Sequence, residues 1–474
     1  MKKFTLGLLL ITSMSINLQA QNLQSAEYIG TTSHFGLTFL SGIDLDYDVD
    51  LYKLNYTTVD ANGNPTIASG AFAVPVTTDC TDFPLTVYQH GTVLNKENVP
   101  SRDNAEAVLP KILAAGGYYT CTPDYIGMGD SPGLHPYMHA ESEATAAIDM
   151  MRAARQFLND SLNVQDNGQV FITGYSQGGH AAMALHKYIE DNDMLEEFDV
   201  VASAPASGPY AMSASQMDLI LSNEPYTNPG YLVYVLSSYQ LVYNNIYTTY
   251  SDVLQSPYDT IVVPYFNGDN ISLSMDDLNP LLPQQVQDLV QPAYYSDLVN
   301  NDSNTLRLDL MANDNYNWVP IRPITMYYCT EDEQVSFDNT LTALDYMTEN
   351  GAQNVSAINA GPFTHGGCVI PALTGIFNLF QSLRTSCTVT GIESYEIISG
   401  MYPNPVRSNL TVVTNEIADR YELISSLGQV IQKGNNPSNS TQFDLDLSSL
   451  ESGIYYLRIF REKTIFTSRA IVKM

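Results

Sequence analysis

The stretch QVFITGYSQGGH, residues 169–180, decides the fold. Val170, Phe171, Ile172 and Thr173 make a short apolar run of the kind that forms a buried strand. A sharp turn is expected over Gly174-Tyr175-Ser176-Gln177-Gly178. In the AAMALHKYIE that follows, Ala181, Ala184, Leu185 and Tyr188 recur at helical spacing. Strand, tight turn and helix around G-x-S-x-G is the signature of a nucleophile elbow. The serine of such an elbow sits on a strained turn, so the positions two residues either side of it can carry almost no side chain. The strain lifts the hydroxyl out of the sheet edge, and the free N–H groups of the new helix point at the same spot. Gly179 adds a third small residue where helix must press on strand.

Outward from the elbow, strand and helix alternate. Residues 84–90 (PLTVYQH) and 117–123 (GYYTCTP) read as buried strands before it, and 199–204 (DVVASA) as the strand after it. Between them, residues 143–158 form an amphipathic helix with Ala147, Ile148, Met151, Ala154 and Leu158 on one stripe. This rhythm implies a mostly parallel sheet with helices on both faces. It breaks over residues 212–318, which are rich in tyrosine and leucine, as in YLVYVLSSYQLVYNNIYTTY at 231–250. That is too long for a loop, and it reads as a helical cap inserted over the site. Residues 321–329 and 354–358 resume the sheet. Further upstream, 47–59 and 66–75 read as two strands joined around Asn62-Gly63-Asn64-Pro65, a hairpin signal. Just before them Asp44, Asp46, Asp48 and Asp50 alternate with apolar residues, which places four carboxylates on one strand face; a solvated face is the plainer reading than a calcium site.

The ends differ from the middle. Lys2 and Lys3, the apolar run 4–16 and Ala20 have the pattern of a secretory signal peptide over 1–20. No later run reaches eighteen uninterrupted apolar residues, so a soluble mature chain is expected. The chain carries 20 Lys+Arg and 51 Asp+Glu; without the two leader lysines, 18 against 51 leaves a net charge of −33. Such a balance disfavours nucleic acid or an anionic membrane as partner. Residues 22–390 hold 10 basic and 42 acidic residues, whereas 391–474 hold 8 and 9. The shift marks a domain boundary near 390, with a catalytic domain over 21–390 and a second domain over 398–474. Five cysteines, Cys80, Cys121, Cys329, Cys368 and Cys387, show no metal-ligand spacing. Secretion permits disulfides. Cys121 and Cys329 fall in strands and are expected as buried thiols, and Cys368–Cys387, stapling a short helical segment, is the bridge expected.

The motifs resemble those of a known family. The string PDYIGMGDSPGLHPYMHAESEATAAIDMMRAAR, the GYSQGG elbow, VASAPASGPY and the cap before the late strand are similar to the secretory lipases, serine esterases and lipases of the α/β-hydrolase superfamily. The resemblance covers about residues 22–383. It implies carboxylic ester hydrolysis with no cofactor and no metal. It also implies the chain order serine, acid, histidine, which Ser176, Asp332 and His365 follow at strand ends. His365 would deprotonate Ser176, and Asp332 would hold the imidazole tautomer. Glu331 and Glu333 compete for the acid role, and His90, His135, His139, His180 and His186 for the base; D-x-x-V after the strand favours Asp332, and only His365 follows the acid in a glycine-flanked loop. The family's oxyanion hole places backbone N–H groups at the residue after the serine and in the loop after the 84–90 strand, here Gln177 and Thr92 in His90-Gly91-Thr92. His135 and His139, in the D-x-x-G-x-G-x-S region that begins at Asp124, read as structural or exposed residues, with substrate contact as the other reading.

The tail resembles a second family. Met401-Tyr402-Pro403-Asn404-Pro405-Val406, Leu427-Gly428-Gln429-Val430, Gly453-Ile454-Tyr455-Tyr456-Leu457 and the terminal Ile471-Val472-Lys473 are similar to the C-terminal sorting domains of type IX secretion. Short alternating strands with glycine turns predict a small all-β sandwich. The resemblance implies the type IX secretion machinery as partner and a secreted or cell-surface protein; a carbohydrate-binding or spacer module is the other reading of such strands. The expectation for the whole is a secreted serine hydrolase acting on esters with a hydrophobic acyl or aryl group. A peptidase of the same superfamily, resembling an aminopeptidase, is the alternative.

Overall fold

In the computed structural model, residues 22–474 are described except 79, 223, 386, 388–397, 426–429, 437–439 and 462–463. The leader read at 1–20 and the boundary read near 390 therefore lie outside the described residues. The chain divides into two compact units, residues 1–387 and 388–474.

The first unit is built on a nine-stranded sheet. Its strands are β1 (Leu23–Thr32), β2 (Asp48–Val59), β3 (Pro65–Val76), β4 (Leu85–Gln89), β5 (Tyr119–Pro123), β6 (Gln169–Tyr175), β7 (Asp199–Ala206), β8 (Ile324–Tyr328) and β9 (Val355–Asn359), in the order β1-β2-β3-β5-β4-β6-β7-β8-β9. The run from β5 to β9 is parallel, and β1–β3 form an antiparallel edge. β4 and β6 are buried almost throughout because they lie mid-sheet with helices on both faces. Helices Ala140–Phe157 and Gln177–Asp191 cover one face, packing Ala147, Met151, Ala154 and Leu185 against Val87, Val170 and Ile172. Val108–Ala115 and His365–Leu383 contribute to the cores on the other face. The latter helix has 19 residues of mean hydropathy 1.3, long and apolar enough to cross a membrane by composition. Here its Ala372, Ile376 and Phe380 are instead buried with Tyr118, Phe171 and Tyr327 of the sheet core.

Residues 212–318 form the inserted helical layer. Its main pieces are Gly230–Tyr243, Pro292–Asn300 and Thr305–Ala312. The helix expected over 231–250 stops at Tyr243, because Asn244 turns left-handed (φ 53°) and closes it. Most of the apolar residues of that helix, Leu232, Val233, Tyr234, Leu236 and Tyr239 among them, fill the cap's own core together with Leu254, Leu289 and Leu310.

The β2–β3 hairpin runs in unbroken register from Asp48↔Val76 to Val59↔Pro65. The Asp60 carboxylate accepts the N–H groups of Asn62 and Asn64, both at 2.9 Å, and so fixes the turn. The aspartate alternation does not form one face: β2 begins at Asp48, leaving Asp44 and Asp46 ahead of it. Asp48 accepts the His34 N–H at 2.9 Å.

The disulfide expectation fails. The bridges are Cys80–Cys387 and Cys329–Cys368, and Cys121 is a buried free thiol whose pKa burial pushes up. Cys368 lies on the buried face of its helix, toward the end of β8, and so meets Cys329 rather than Cys387.

The second unit holds a three-stranded sheet, β10 (Ile398–Tyr402), β11 (Asn409–Thr414) and β14 (Gln442–Asp446). Against it lies a four-stranded sheet of β12 (Arg420–Ser425), β13 (Val430–Asn435), β15 (Gly453–Arg461) and β16 (Thr464–Lys473). Leu410, Val412 and Phe443 of one sheet meet Leu423, Leu457 and Ile459 of the other in one core, which makes a β-sandwich.

Glycines at the elbow are required by space. A Cβ on Gly178 would sit 1.9 Å from the Gln89 carbonyl oxygen, and one on Gly174 2.1 Å from that of Gly178. Gly178→Ala is therefore expected to destabilise the chain by roughly 1–3 kcal/mol or more. Gly36, exposed in helix His34–Ser41 with open space around it, is the contrast: Gly36→Ala is expected to stabilise by about 0.5–1 kcal/mol. Urea midpoints of the two variants check the pair.

Candidate active site

β6 ends at Tyr175, and Ser176 takes φ 61° and ψ −122°, a conformation rare for a residue with a side chain. The Ser176 N–H donates to the Ala206 carbonyl at 3.0 Å, and the Gly179 N–H to the Ser176 carbonyl at 2.8 Å. Helix Gln177–Asp191 starts at the next residue, so the Gln177 N–H is one of the first N–H groups and has no partner within the helix. Gly179 lets that helix lie on β7: a Cβ there would meet the Ala206 carbonyl oxygen at 2.4 Å.

The loop after β4 comes alongside. The position of a Cβ on Gly91 lies 4.0 Å from Ser176 Cβ and 3.6 Å from the Tyr175 carbonyl oxygen. The next residue, Thr92, pairs its hydroxyl with that of Tyr137 at 2.9 Å. Tyr137 in turn stacks on Tyr234 of the cap, with ring centroids 4.3 Å apart.

Asp332 lies in the loop after β8. Its Oδ1 accepts the N–H groups of Gln334 and Val335 at 3.1 and 2.9 Å, which fixes the carboxylate. Both its oxygens lie at the Nδ1 of His365, at 2.9 and 2.8 Å, and the Asp332 side chain is 1% exposed. Of the competing acids, Glu333 takes the His365 backbone N–H at 3.0 Å instead. Burial works against charge at Glu333, but that N–H helps to hold its carboxyl below the usual range. His365 does not sit in a loop. It opens helix His365–Leu383 behind Thr364, whose side chain accepts the Gly367 N–H.

No hydrogen bond joins the Ser176 hydroxyl to the His365 ring among the described residues. The two are linked through Tyr175, whose hydroxyl donates to the His365 carbonyl at 2.6 Å and whose ring lies 5.2 Å from the imidazole. The structure thus joins Asp332 to His365 directly, and His365 to Ser176 through the serine's neighbour.

The other histidines are engaged elsewhere. His90 is buried, with its ring at the Gly91 and Asp124 carbonyls. His186 pairs with Ser203 and Glu190. His135 and His139 are buried rather than exposed. His135 Nδ1 donates to the Ile126 carbonyl (2.8 Å), and its Nε2 accepts from the Gln177 side-chain amide (2.7 Å), a neutral tautomer. The same amide donates to Glu143 Oε1 at 2.9 Å, while Glu143 Oε2 takes His180 Nδ1 at 2.7 Å and the Asn313 carbonyl takes His180 Nε2 at 3.0 Å. His180 donates from both nitrogens. Burial opposes its charge, but the Glu143 carboxylate beside it raises its pKa.

Glu143 was missed as a site residue in the sequence. Its signal was there: it stands four residues before Ala147, on the stripe the helix buries. Tyr175, inside the deciding stretch, was missed as well, because nothing local shows that its hydroxyl reaches residue 365. Two cap tyrosines also approach the acid loop, Tyr226 donating to the Gln334 carbonyl at 3.0 Å and Tyr231 to the Gln334 side chain at 3.1 Å.

Two family models match the chain: "Secretory lipase" over residues 102–190 and "Secretion system C-terminal sorting domain" over residues 400–473. No curated protein matches it. Among solved structures, the rice cell wall degrading esterase LipA from Xanthomonas oryzae is 31% identical, with a TM-score of 0.70 over 77% of this chain and 98% of that one. A hydrolase structure from Legionella pneumophila, 24% identical with a TM-score of 0.71 over 78% of this chain and 100% of that one, shares the fold. So does Candida antarctica lipase A in its closed state, at 16% identity and a TM-score of 0.55 over 78% of this chain and 85% of that one. The tail match indicates a secreted or cell-surface protein.

Burial makes the histidine network acid-sensitive. It pushes His135 down to about 3 and His139 to about 4, the latter with help from the charge on His180. Both titrate near 6.5 when unfolded. As pH falls through 6.5 the unfolded chain therefore binds protons that the folded chain refuses, and stability is lost down to about pH 4, by up to about 1.4 kcal/mol per pH unit for each group. His139→Asn, which keeps a capping acceptor, is expected to remove one such contribution from the slope of unfolding free energy against pH between 6.5 and 4.

Proposed function

This chain belongs to the secretory lipase family of α/β-hydrolases, and from that premise we propose that its hydrolysis of esters runs through Ser176, His365 and Asp332 by way of an acyl-enzyme. A serine hydroxyl is a weak nucleophile at neutral pH and needs a base oriented by a third group. His365 Nε2 takes the Ser176 proton as Oγ attacks the ester carbonyl, then gives it to the leaving alcohol. Asp332 keeps the proton of the imidazole on Nδ1 and stabilises the cation. The N–H groups of Gln177 and Thr92 receive the oxyanion. Water repeats the sequence on the acyl-enzyme and releases the acid.

The observation that carries this reading is the Asp332–His365 pair at 2.8 Å, whose histidine is held by the hydroxyl of the residue next to Ser176. The substrate we propose is an ester with a hydrophobic acyl or aryl group. Tyr226 and Tyr231, the cap tyrosines that reach the acid loop, support the apolar part, and the net charge of −31 disfavours polyanions. The tail addresses the chain to the type IX secretion machinery.

The wild-type chain is expected to hydrolyse p-nitrophenyl esters and to leave aminoacyl p-nitroanilides almost untouched, with the acyl-length series reporting the preferred chain. Ser176→Ala and His365→Ala should each lower kcat/KM by at least about 10³-fold, with circular dichroism unchanged. Anilide turnover above ester turnover would move the assignment to a peptidase, and full ester turnover by Ser176→Ala would end the proposed mechanism.

A further inference from the structure

The Cys329–Cys368 bridge brackets the catalytic pair. Cys329 stands directly after β8, three residues before Asp332, and Cys368 lies in the first turn of helix His365–Leu383, three residues after His365. The two half-cystines are fully buried with their Cα atoms 6.0 Å apart. The covalent ring they close therefore contains both Asp332 and His365. Apart from the Asp332–His365 pair itself, the two loops are joined by the Ala360 N–H to the Tyr328 carbonyl at 2.8 Å, the Thr330 N–H to the Gly361 carbonyl at 3.1 Å and the His365 N–H to Glu333 at 3.0 Å. The His365 N–H ties the helix start to the acid loop and the Tyr175 hydroxyl ties it to β6, while the bridge adds a covalent tie to the residue that follows β8. The Ser207 hydroxyl also points at Cys368 Sγ, at 3.9 Å, which ties the bridge to the loop after β7.

Resting on the triad reading above, we infer that this disulfide is a positioning element of catalysis. It holds the imidazole and carboxylate in register, so that the dithiol form of the chain is a poor esterase. Reductive opening by a dithiol transfers two electrons and two protons to the two sulfurs and leaves the reductant as a disulfide. Closure is the reverse, by exchange with an oxidised disulfide donor. A cytosol keeps thiols reduced and an exporting compartment does not. The chain is therefore dormant where it is made and becomes active where it is delivered.

The second bridge supplies the control. Cys80–Cys387 spans 307 residues against 39 for Cys329–Cys368. If bridges act only through the entropy of the unfolded chain, losing the longer one should destabilise more. Cys329→Ala/Cys368→Ala is expected to lose at least about 10-fold in kcat on a p-nitrophenyl ester with KM changed less than about threefold, at a temperature where circular dichroism shows it folded. Cys80→Ala/Cys387→Ala should lower Tm at least as much and leave both kcat and KM unchanged.

Should the first variant not fold, the wild-type chain is titrated with dithiothreitol and mass spectrometry follows each bridge. Activity is then expected to fall with opening of Cys329–Cys368 and to return on reoxidation. Wild-type kcat in Cys329→Ala/Cys368→Ala, or activity that ignores a bridge shown to be open, overturns the inference. A wild-type chain without ester hydrolysis would instead reject the function it rests on.

Discussion

The approach of the Gly178 backbone to the Gln89 carbonyl is the constraint on which the site depends. A Cβ there would lie 1.9 Å from that oxygen. The contact lets the elbow helix start immediately above the end of β4, which puts two things in one place. Ser176 is held at φ 61° at the tip of β6, and the His90-Gly91-Thr92 loop passes beside it. Gly174 and Gly179 extend the same requirement to β6 and β7. The parallel sheet thus delivers the ends of β4, β6, β8 and β9 to one edge, where ligands bind in such folds.

Electrostatics beneath the elbow are as demanding as its sterics. Glu143 and His180 are fully buried and satisfied by Gln177 and Asn313. Removing one partner of a buried pair costs about 3–5 kcal/mol, because the other charge is left alone. That pair pins the side chain of Gln177, and so the backbone of the residue that follows the serine. It also reaches Asn313, whose amide donates to Tyr243 at 2.7 Å, which joins the body to the returning end of the cap.

Much of this was legible in the chain. The elbow, the strands around it and the hairpin showed as apolar runs and fixed glycines, all local signals. What escaped depended on distance or on context. β1 exposes most of its residues, so its LQSAEYIGTT carries no buried face to read. His365 looked like a loop residue because glycines surround it, yet Thr364 caps a helix there. The cysteine pairs join residues 307 and 39 apart, which no spacing rule orders. Of the aspartate run, only Asp48 and Asp50 belong to β2, because alternation alone does not say where a strand begins.

The most direct measurement of the central claim is labelling with a fluorophosphonate, which phosphonylates an activated serine and loses fluoride. The account predicts one adduct, mapped by mass spectrometry to Ser176, formed rapidly by the wild-type chain and slowed by orders of magnitude in His365→Ala. An adduct at another residue, or equal labelling rates in the two proteins, would contradict it.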